Sequence, residues 1–469
     1  MSQVPLIKGD KVDSNTDYKD ALPVNMYAVL REILGAKGYM TNFYGISSFG
    51  TGSGIDRGGR WVSRKGFEGH YRVSGTKFIS VSTSGAETIL GDIPGTDQVS
   101  IAFSFNNVAV VASGSLFYYN PTDGFRQITD IDAGSPIDIV WVDGLFFLTD
   151  GETIYHSDIA DENNYLTVDF DNAEFQPDSS LGLGLNEDNE VIVFGELSKE
   201  NFIFTGKSEF TFVTIPRKTQ KIGILGTHCR KEMGGKWYIL GRREESAPSF
   251  HIVSLGNEQV ISTRETDKIL ATYTDDELST STVDAFIDDN VNFVVYHLPN
   301  HTLLFNETIS EAFGIGSAWV ILKSDVIGET PYRGKNFVRD PRIGKWLCGD
   351  RQNSNIGELD NTICTHYGDI AEWIMFTPLI KAETLSVNQL ELETIPGIAP
   401  DNDATVFFSI TANGRSYGTE YTMNYGDNND YDQRFIMHNL GYVRHWIGFK
   451  FRGASSARMS FAFLNVDAS

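Results

Sequence analysis

The stretch from Val99 to Asp130 admits only one kind of local structure. It reads Val-Ser-Ile-Ala-Phe-Ser-Phe, then Asn106-Asn107, then Val-Ala-Val-Val-Ala-Ser. Gly114-Ser115, Leu-Phe-Tyr-Tyr, Pro121-Thr-Asp-Gly124 and Phe-Arg-Gln-Ile-Thr-Asp follow. These are four short runs of β-branched and aromatic residues divided by brief turns, and none is long enough for an amphipathic helix. Asn106-Asn107 tolerates the positive φ of a tight hairpin, and the two glycine-containing turns supply it at little steric cost. The unit is a four-stranded antiparallel meander. Alone it leaves a face bare, so it must stack on its like.

The same grammar returns from Ile137, with Ile-Asp-Ile-Val-Trp-Val, Asp143-Gly144, Leu-Phe-Phe-Leu-Thr, Asp150-Gly151 and Thr-Ile-Tyr-His-Ser. Repetition of strand, turn and strand predicts a β-propeller, whose blades are four-stranded sheets packed around an axis. Blades are expected over Arg60 to Ile93, Val99 to Asp130, Ile137 to Phe170, Leu181 to Ile215, Ile222 to Thr263, Thr282 to Lys323 and Tyr332 to Thr365. The last is the least regular, so the count is seven, or six if it is a connector. From about Trp373 the strands lengthen, which predicts an antiparallel β-sandwich. The fold class is all-β, divided as 1–59 (N-terminal arm, short helix and loop), 60–370 (propeller) and 371–469 (C-terminal sandwich). Within the first segment, Ala28 to Leu34 reads as a helix stopped by Gly35, and 45–60 as a Gly/Ser loop. A helical turn is expected at Asp275 to Leu278.

The net charge of −24 is unevenly spread. Residues 99–215 hold 3 Lys and Arg against 20 Asp and Glu, a net −17. Asp143, Asp150 and Glu152 represent this acidic surface. Affinity for a nucleic-acid backbone comes from clustered cations, so tight DNA binding is disfavoured. The start of the chain shows no charged leader with an apolar run, and no stretch approaches 18 apolar residues, so neither a signal peptide nor membrane insertion is expected. Cys229, Cys348 and Cys364 are odd in number and widely spaced, which favours buried free thiols.

Little points to chemistry. Asp427, Asn428, Asn429, Asp430 and Asp432 present oxygens that suit Ca²⁺, but without the helical-loop spacing or a bidentate Glu they read as a turn. His297 and His301 flank Pro299-Asn300 in a hairpin and read as hydrogen-bonded sheet residues. His228 and Cys229 are adjacent on a strand and point to opposite faces. No nucleophile elbow, phosphate loop, zinc-protease motif or dinucleotide fingerprint occurs. No catalytic residue, cofactor or metal is assigned. The alternative is a glycan-active or glycan-binding propeller, but the nearest approach to a sialidase-type turn, Ser409 to Tyr417, lacks its Asp and lies outside the blades.

Several segments resemble the packaged-DNA stabilisation proteins of short-tailed bacteriophages, the hub or nozzle proteins of the tail. They are Tyr18-Lys-Asp-Ala-Leu-Pro-Val-Asn-Met26, Glu32-Ile-Leu-Gly35, Gly38-Tyr39, Ala173-Glu-Phe-Gln-Pro-Asp178, Phe194-Gly195 and Thr205-Gly206. His297-Leu-Pro-Asn-His301, Tyr332-Arg-Gly334, Cys348-Gly-Asp350, Phe376 to Ala382 and Ile447 to Arg452 follow in the same order. The resemblance implies a propeller with a C-terminal β domain, in six copies as a ring below the portal and the adaptor. It also implies contacts with tail spikes or fibres and with a needle or plug, a place in the virion tail, and assembly in the host cytoplasm. Its signature residues, Leu22, Pro23, Asn25, Met26, Ala173, Glu174, Pro177, Asp178, Phe194 and Gly195, read as structural. Pro177 disfavours helix at Gln176 and suits a connector between blades.

Overall fold

The computed structural model describes residues 2–7, 22–159, 161–171, 175–206, 211–254, 256–381, 385–394, 404–413, 416–426, 432 and 434–468. Among them, the strands from Gly45 to Asp360 form seven antiparallel blades. The innermost strands, in order, are Asp56–Val62, Ser100–Phe103, Asp138–Val142, Ser180–Leu185, Arg230–Met233, Thr282–Asp288 and Gly334–Asp340. The second strands explain the hydrophobic runs. Val108–Ala112, Leu145–Thr149 and Val191–Gly195 are buried at every residue, because each is covered on both faces by a neighbouring blade. Outer strands such as Gly124–Gln127 are partly solvated and carry polar residues.

Turn chemistry sets the registers. Ser113 and Gly114 adopt φ of 48° and 72°, and Asp143 and Gly144 adopt 49° and 92°, the left-handed pair of a two-residue hairpin. Asn106-Asn107 departs from expectation, since neither residue takes a positive φ. Here the Ser104 hydroxyl accepts hydrogen bonds from the Asn106 and Asn107 amides at 3.0 and 2.9 Å, and this side-chain turn replaces the backbone one.

The first 59 residues depart further. Ala28 to Leu34 is not a helix. Met26–Val29 is a strand paired with Tyr39–Asn42, and Leu34-Gly35, at φ of 48° and 81°, forms a tight turn between Ile33 and Ala36. Helix propensity yields to the burial of Met26, Ala28 and Met40 in one core. Nor is 45–60 a loop. Gly45–Thr51 is the outer strand of the seventh blade, paired with Asn355–Asp360, and so closes the ring. Its glycines mark close backbone approach, since a Cβ at Gly50 would stand 2.2 Å from the Gly85 carbonyl oxygen. The Asp275 turn is a short helix, Asp275–Ser279, with a capping box of Thr274 and Glu277.

The sandwich is built from both ends of the chain. One sheet orders Met26–Val29, Tyr39–Asn42, Ser460–Ala468, Leu385–Thr394 and Phe435–Val443, with Ser2–Pro5 also paired to Ser460–Ala468. The other orders Glu372–Phe376, Trp446–Ala454, Thr405–Thr411 and Tyr421–Asn424. Val4, Leu6 and Ile7 fill the same core as Trp373, Phe408, Phe451 and Phe461. The three cysteines are buried and free, and burial pushes each thiol up to about 12.

Candidate functional site

The segment Leu22 to Met26 is the seam between the two domains. Leu22 sits in the core of the fifth and sixth blades, and Met26 in the core of the sandwich. Between them the chain threads two sheets. The Pro23 carbonyl accepts from the Ile321 amide at 2.9 Å, Val24 exchanges two hydrogen bonds with Ile374, and the Asn25 amide donates to Ile321. Asn25 takes a left-handed φ of 52°. Its side-chain amide donates to the carbonyls of Lys323 and Glu372, both at 2.8 Å, and its oxygen accepts from the Lys323 amide at 3.0 Å. Beside it Lys323 Nζ meets Glu372 Oε2 at 3.0 Å, both side chains largely buried. One asparagine thus ties an outer propeller strand to a sandwich strand. Asn25→Ala strands three buried groups and strains the backbone, and should cost about 2–4 kcal/mol in urea unfolding. Asn25→Gly relieves the strain alone and should recover about 1 kcal/mol of that loss.

The second signature runs from the connector into the fourth blade to that blade's contact with the fifth. Asp178 accepts from the Leu197 amide at 2.7 Å and the Ser198 hydroxyl at 3.0 Å, bracing the turn after Gly195. A Cβ on Gly195 would lie 2.5 Å from Asp178 Oδ2, so a larger residue there would push the Asp178 carboxylate off its partners. Phe194 is fully buried against the Trp237 ring at 5.1 Å, and Pro177 is exposed on the connector. Ala173 and Glu174 lie outside the described residues, as does most of the Asp427 to Asp432 loop.

The acidic candidates do not form one patch. Asp143 Oδ1 accepts from Asn189 Nδ2 at 2.6 Å, linking the turns of adjacent blades. Asp150 Oδ1 accepts from the Glu152 and Thr153 amides at 3.0 and 2.7 Å. The strand Leu145–Thr149 separates these turns by roughly 16 Å. Successive hairpins lie on opposite faces of a propeller, so acids that are neighbours in sequence are divided between both.

The propeller axis is cross-linked by aspartates that the sequence did not single out. Asp138 accepts from Ser100 Oγ at 2.5 Å and the Leu183 amide at 2.6 Å, and pairs with Arg230, which joins four consecutive blades. Asp284 accepts from the Asn336 and Phe337 amides at 2.6 and 3.2 Å and meets His297 Nε2 at 3.0 Å. Asp56 pairs with Arg72 at 2.7 Å and accepts from Asn336 Nδ2 at 2.6 Å. His301, instead of facing His297, hydrogen-bonds Tyr273. What remains of the axis is two cavities of about 370 and 510 Å³. A glycosidase requires one protonated and one free carboxyl flanking its substrate. These three aspartates are instead held by two or more protein donors each. Among the described residues, no group of three His, Cys, Asp or Glu is placed to hold a metal ion.

The family model described as the bacteriophage P22 Gp10 β-propeller matches residues 2–364, and the one described as the P22 Gp10 β-sandwich matches residues 372–469. The chain belongs to the phage P22 Gp10 family. Among curated proteins, the tail hub protein gp10 of Salmonella phage P22 is 31% identical over 472 residues, covering 96% of each chain. Solved structures are more distant. The extracellular domain of the putative one-component system BT4673 of B. thetaiotaomicron shares 11% identity over 79% of this chain and 43% of its own, at a TM-score of 0.45. A chain of the S. cerevisiae complex of Dbp5 with Nup159 and Gle1 shares 10% identity over 73% of this chain and 98% of its own, at 0.39. Both are too remote to inform function. For this Gp10-family chain the signature residues Leu22, Asn25, Met26, Asp178, Phe194 and Gly195 fall at domain and blade joints, where they hold backbone in place.

Proposed function

We propose that this protein is a structural component of the virion, the hub of a short phage tail. Six copies form a ring below the portal and adaptor, close the channel, retain packaged DNA and become part of the ejection conduit. The ring anchors spikes or fibres and receives a needle or plug, and it assembles in the host cytoplasm without catalytic activity. The observation that carries this reading is the match to the P22 tail hub protein through both domains and nearly the whole of both chains. The closed axis supports a duplex path between copies, since cavities of 370 and 510 Å³ are of small-molecule size. A net charge of −24 supports a conduit that does not hold the polyanion it passes.

The free protein is expected to scatter light as a monomer and to form a six-fold assembly only with the adaptor. Duplex DNA should pass a filter unretained by the protein at about 150 mM salt, where the Debye length is about 8 Å. A stable tetramer indifferent to the adaptor would sink the hub reading. Sub-micromolar DNA retention would instead make the mechanism adhesive.

A further inference from the structure

The propeller axis gathers unpaired positive charge in a chain whose total is −24. Its larger cavity, about 510 Å³, is lined by Lys335, Arg351, His228 and the threonines Thr227, Thr280 and Thr282. The carboxylate that also lines it, Asp97, is exposed. Among the described residues, the Lys335 side chain makes no hydrogen bond or ion pair. Arg351 donates to neutral oxygens, Thr302 Oγ1 at 3.2 Å and the carbonyls of Leu298 and Pro299 at 2.9 and 3.2 Å. Burial holds both cations below their ordinary values; for Lys335 the Asp56 and Asp284 carboxylates offset this in part, and the charges of Arg351 and Arg72 add to it. Elsewhere on the axis the protein provides counter-charges, as for Arg72 and Arg230. Here, among the described residues, no carboxylate lies within ion-pair distance of Lys335 or Arg351, and Asp56 and Asp284 act on Lys335 only from further off.

The shape narrows the choice of ligand. Next to the residues that both cavities share, the Gln98 amide hydrogen-bonds Asn336 and Arg230 spans to Asp138. These bonds oppose the threading of a polypeptide along the axis, and a duplex is far too wide. The volume falls within the range of small-molecule sites, about 300–1,000 Å³. Lysine and arginine with hydroxyl donors around them suit a tetrahedral oxyanion.

We propose that this cavity binds a small multivalent oxyanion of the phosphate class, with Lys335 and Arg351 as its counter-charges and the hydroxyls of Thr227 and Thr282 as further donors. The residues that hold it come from the fifth, sixth and seventh blades, so the bound anion ties these blades together.

The test is calorimetric titration of the full chain with inorganic phosphate and with pyrophosphate, in chloride buffer of matched ionic strength. Thermal unfolding is followed in parallel. One saturable site is expected, tighter for pyrophosphate, with a melting temperature that climbs with ligand concentration. Lys335→Met and Lys335→Gln, which break no hydrogen bond, should weaken binding about tenfold or more, as the loss of a charged contact does. Lys231→Met removes the same charge beside the other cavity and should leave affinity within about twofold. Equal affinity in the Lys335 variants and the unaltered chain would overturn the proposal. So would the absence of saturable binding of either anion, or binding of a glutamate-rich peptide while both phosphates are ignored.

Discussion

Residues 372–469 expressed alone are expected to show no cooperative unfolding transition, even though this span is matched as a domain. The sandwich core also needs Val4, Leu6, Ile7, Met26, Ala28 and Met40, all 7% exposed or less. At about 1.5–3 kcal/mol for each of the five larger side chains, their absence removes roughly 8–15 kcal/mol of burial, as much as the whole stability of an ordinary domain. Polar contacts go as well. Strand Ser460–Ala468 loses its pairing with both Ser2–Pro5 and Tyr39–Asn42, and the Met459 amide loses Asn42 Oδ1 at 2.7 Å. Circular dichroism through a urea titration is the measurement. Joining residues 1–44 to 372–469 through a flexible linker should restore the transition. Residues 45–364 keep the closing strand Gly45–Thr51 and should unfold cooperatively, whereas 60–370 lack it and should not. A transition for 372–469 at the midpoint of the whole chain would show that the N-terminal strands are decoration.

What the sequence revealed and what it hid divide along contact range. The blades were legible because each is a local meander whose turns, such as Ser113-Gly114 and Asp143-Gly144, declare themselves within a few residues. The sandwich strands after Trp373 were legible from length and alternation. Illegible were elements whose partner lies hundreds of residues away. Gly45–Thr51 pairs with Asn355–Asp360, and Met26–Val29 joins a sheet completed by the last strand of the chain. Such strands carry little local signature. One is rich in glycine because backbones meet there, and the other is made of residues that also suit helices.

The candidate site was legible only in part. Leu22 to Met26 stood out through resemblance, but the role of Asn25 depends on Lys323 and Glu372, whose neighbourhood no spacing discloses. The run of negative charge from 99 to 215 looked like one surface, yet hairpins that reverse every few residues distribute it over two faces. The axial aspartates Asp56, Asp138 and Asp284 sit on three different inner strands, and only closure of the ring makes them a set. Lys335 and Arg351 meet instead within one blade, through the pairing of Gly334–Asp340 with Lys345–Asp350. A period of one cation or acid per blade is too sparse to read against the many surface charges.

Acid should destabilise the protein steeply well above the carboxylate range, because several histidines are buried in neutral form. His366 is 3% exposed, its Nδ1 2.7 Å from Ser324 Oγ and its ring edge-on to Tyr332, and burial with Arg333 nearby lowers it to about 3. His70 is fully buried, 3.0 Å from Arg72, and is held well below 6.5 by burial and then by the charges of Arg72 and Arg342. His228, on the axis, is lowered to about 4 by burial. In the unfolded chain each titrates near 6.5. Below that pH the unfolded state binds protons that the folded state refuses, so stability rises with pH and falls as pH drops from 6.5 towards each folded value. Each fully buried histidine contributes a slope of about 1.4 kcal/mol per pH unit. His70 and His366 together should therefore remove about 3 kcal/mol between pH 6.5 and 5, with a smaller share from the partly solvated His228. Asp284 is held below its usual 3.8 by hydrogen bonds from His297 and Asn336 that outweigh its burial, so its own contribution is lost only at still lower pH. Urea unfolding at pH 7.5, 6.5, 5.5 and 5.0 measures the slope. His366→Gln keeps a hydrogen-bonding group towards Ser324 and removes one titrating site, so its slope should be shallower by about 1.4 kcal/mol per unit. A free energy of unfolding that stays level from pH 7 to 5 would mean that these rings accept protons in the folded protein, and that the blades open to water where the packing closes them.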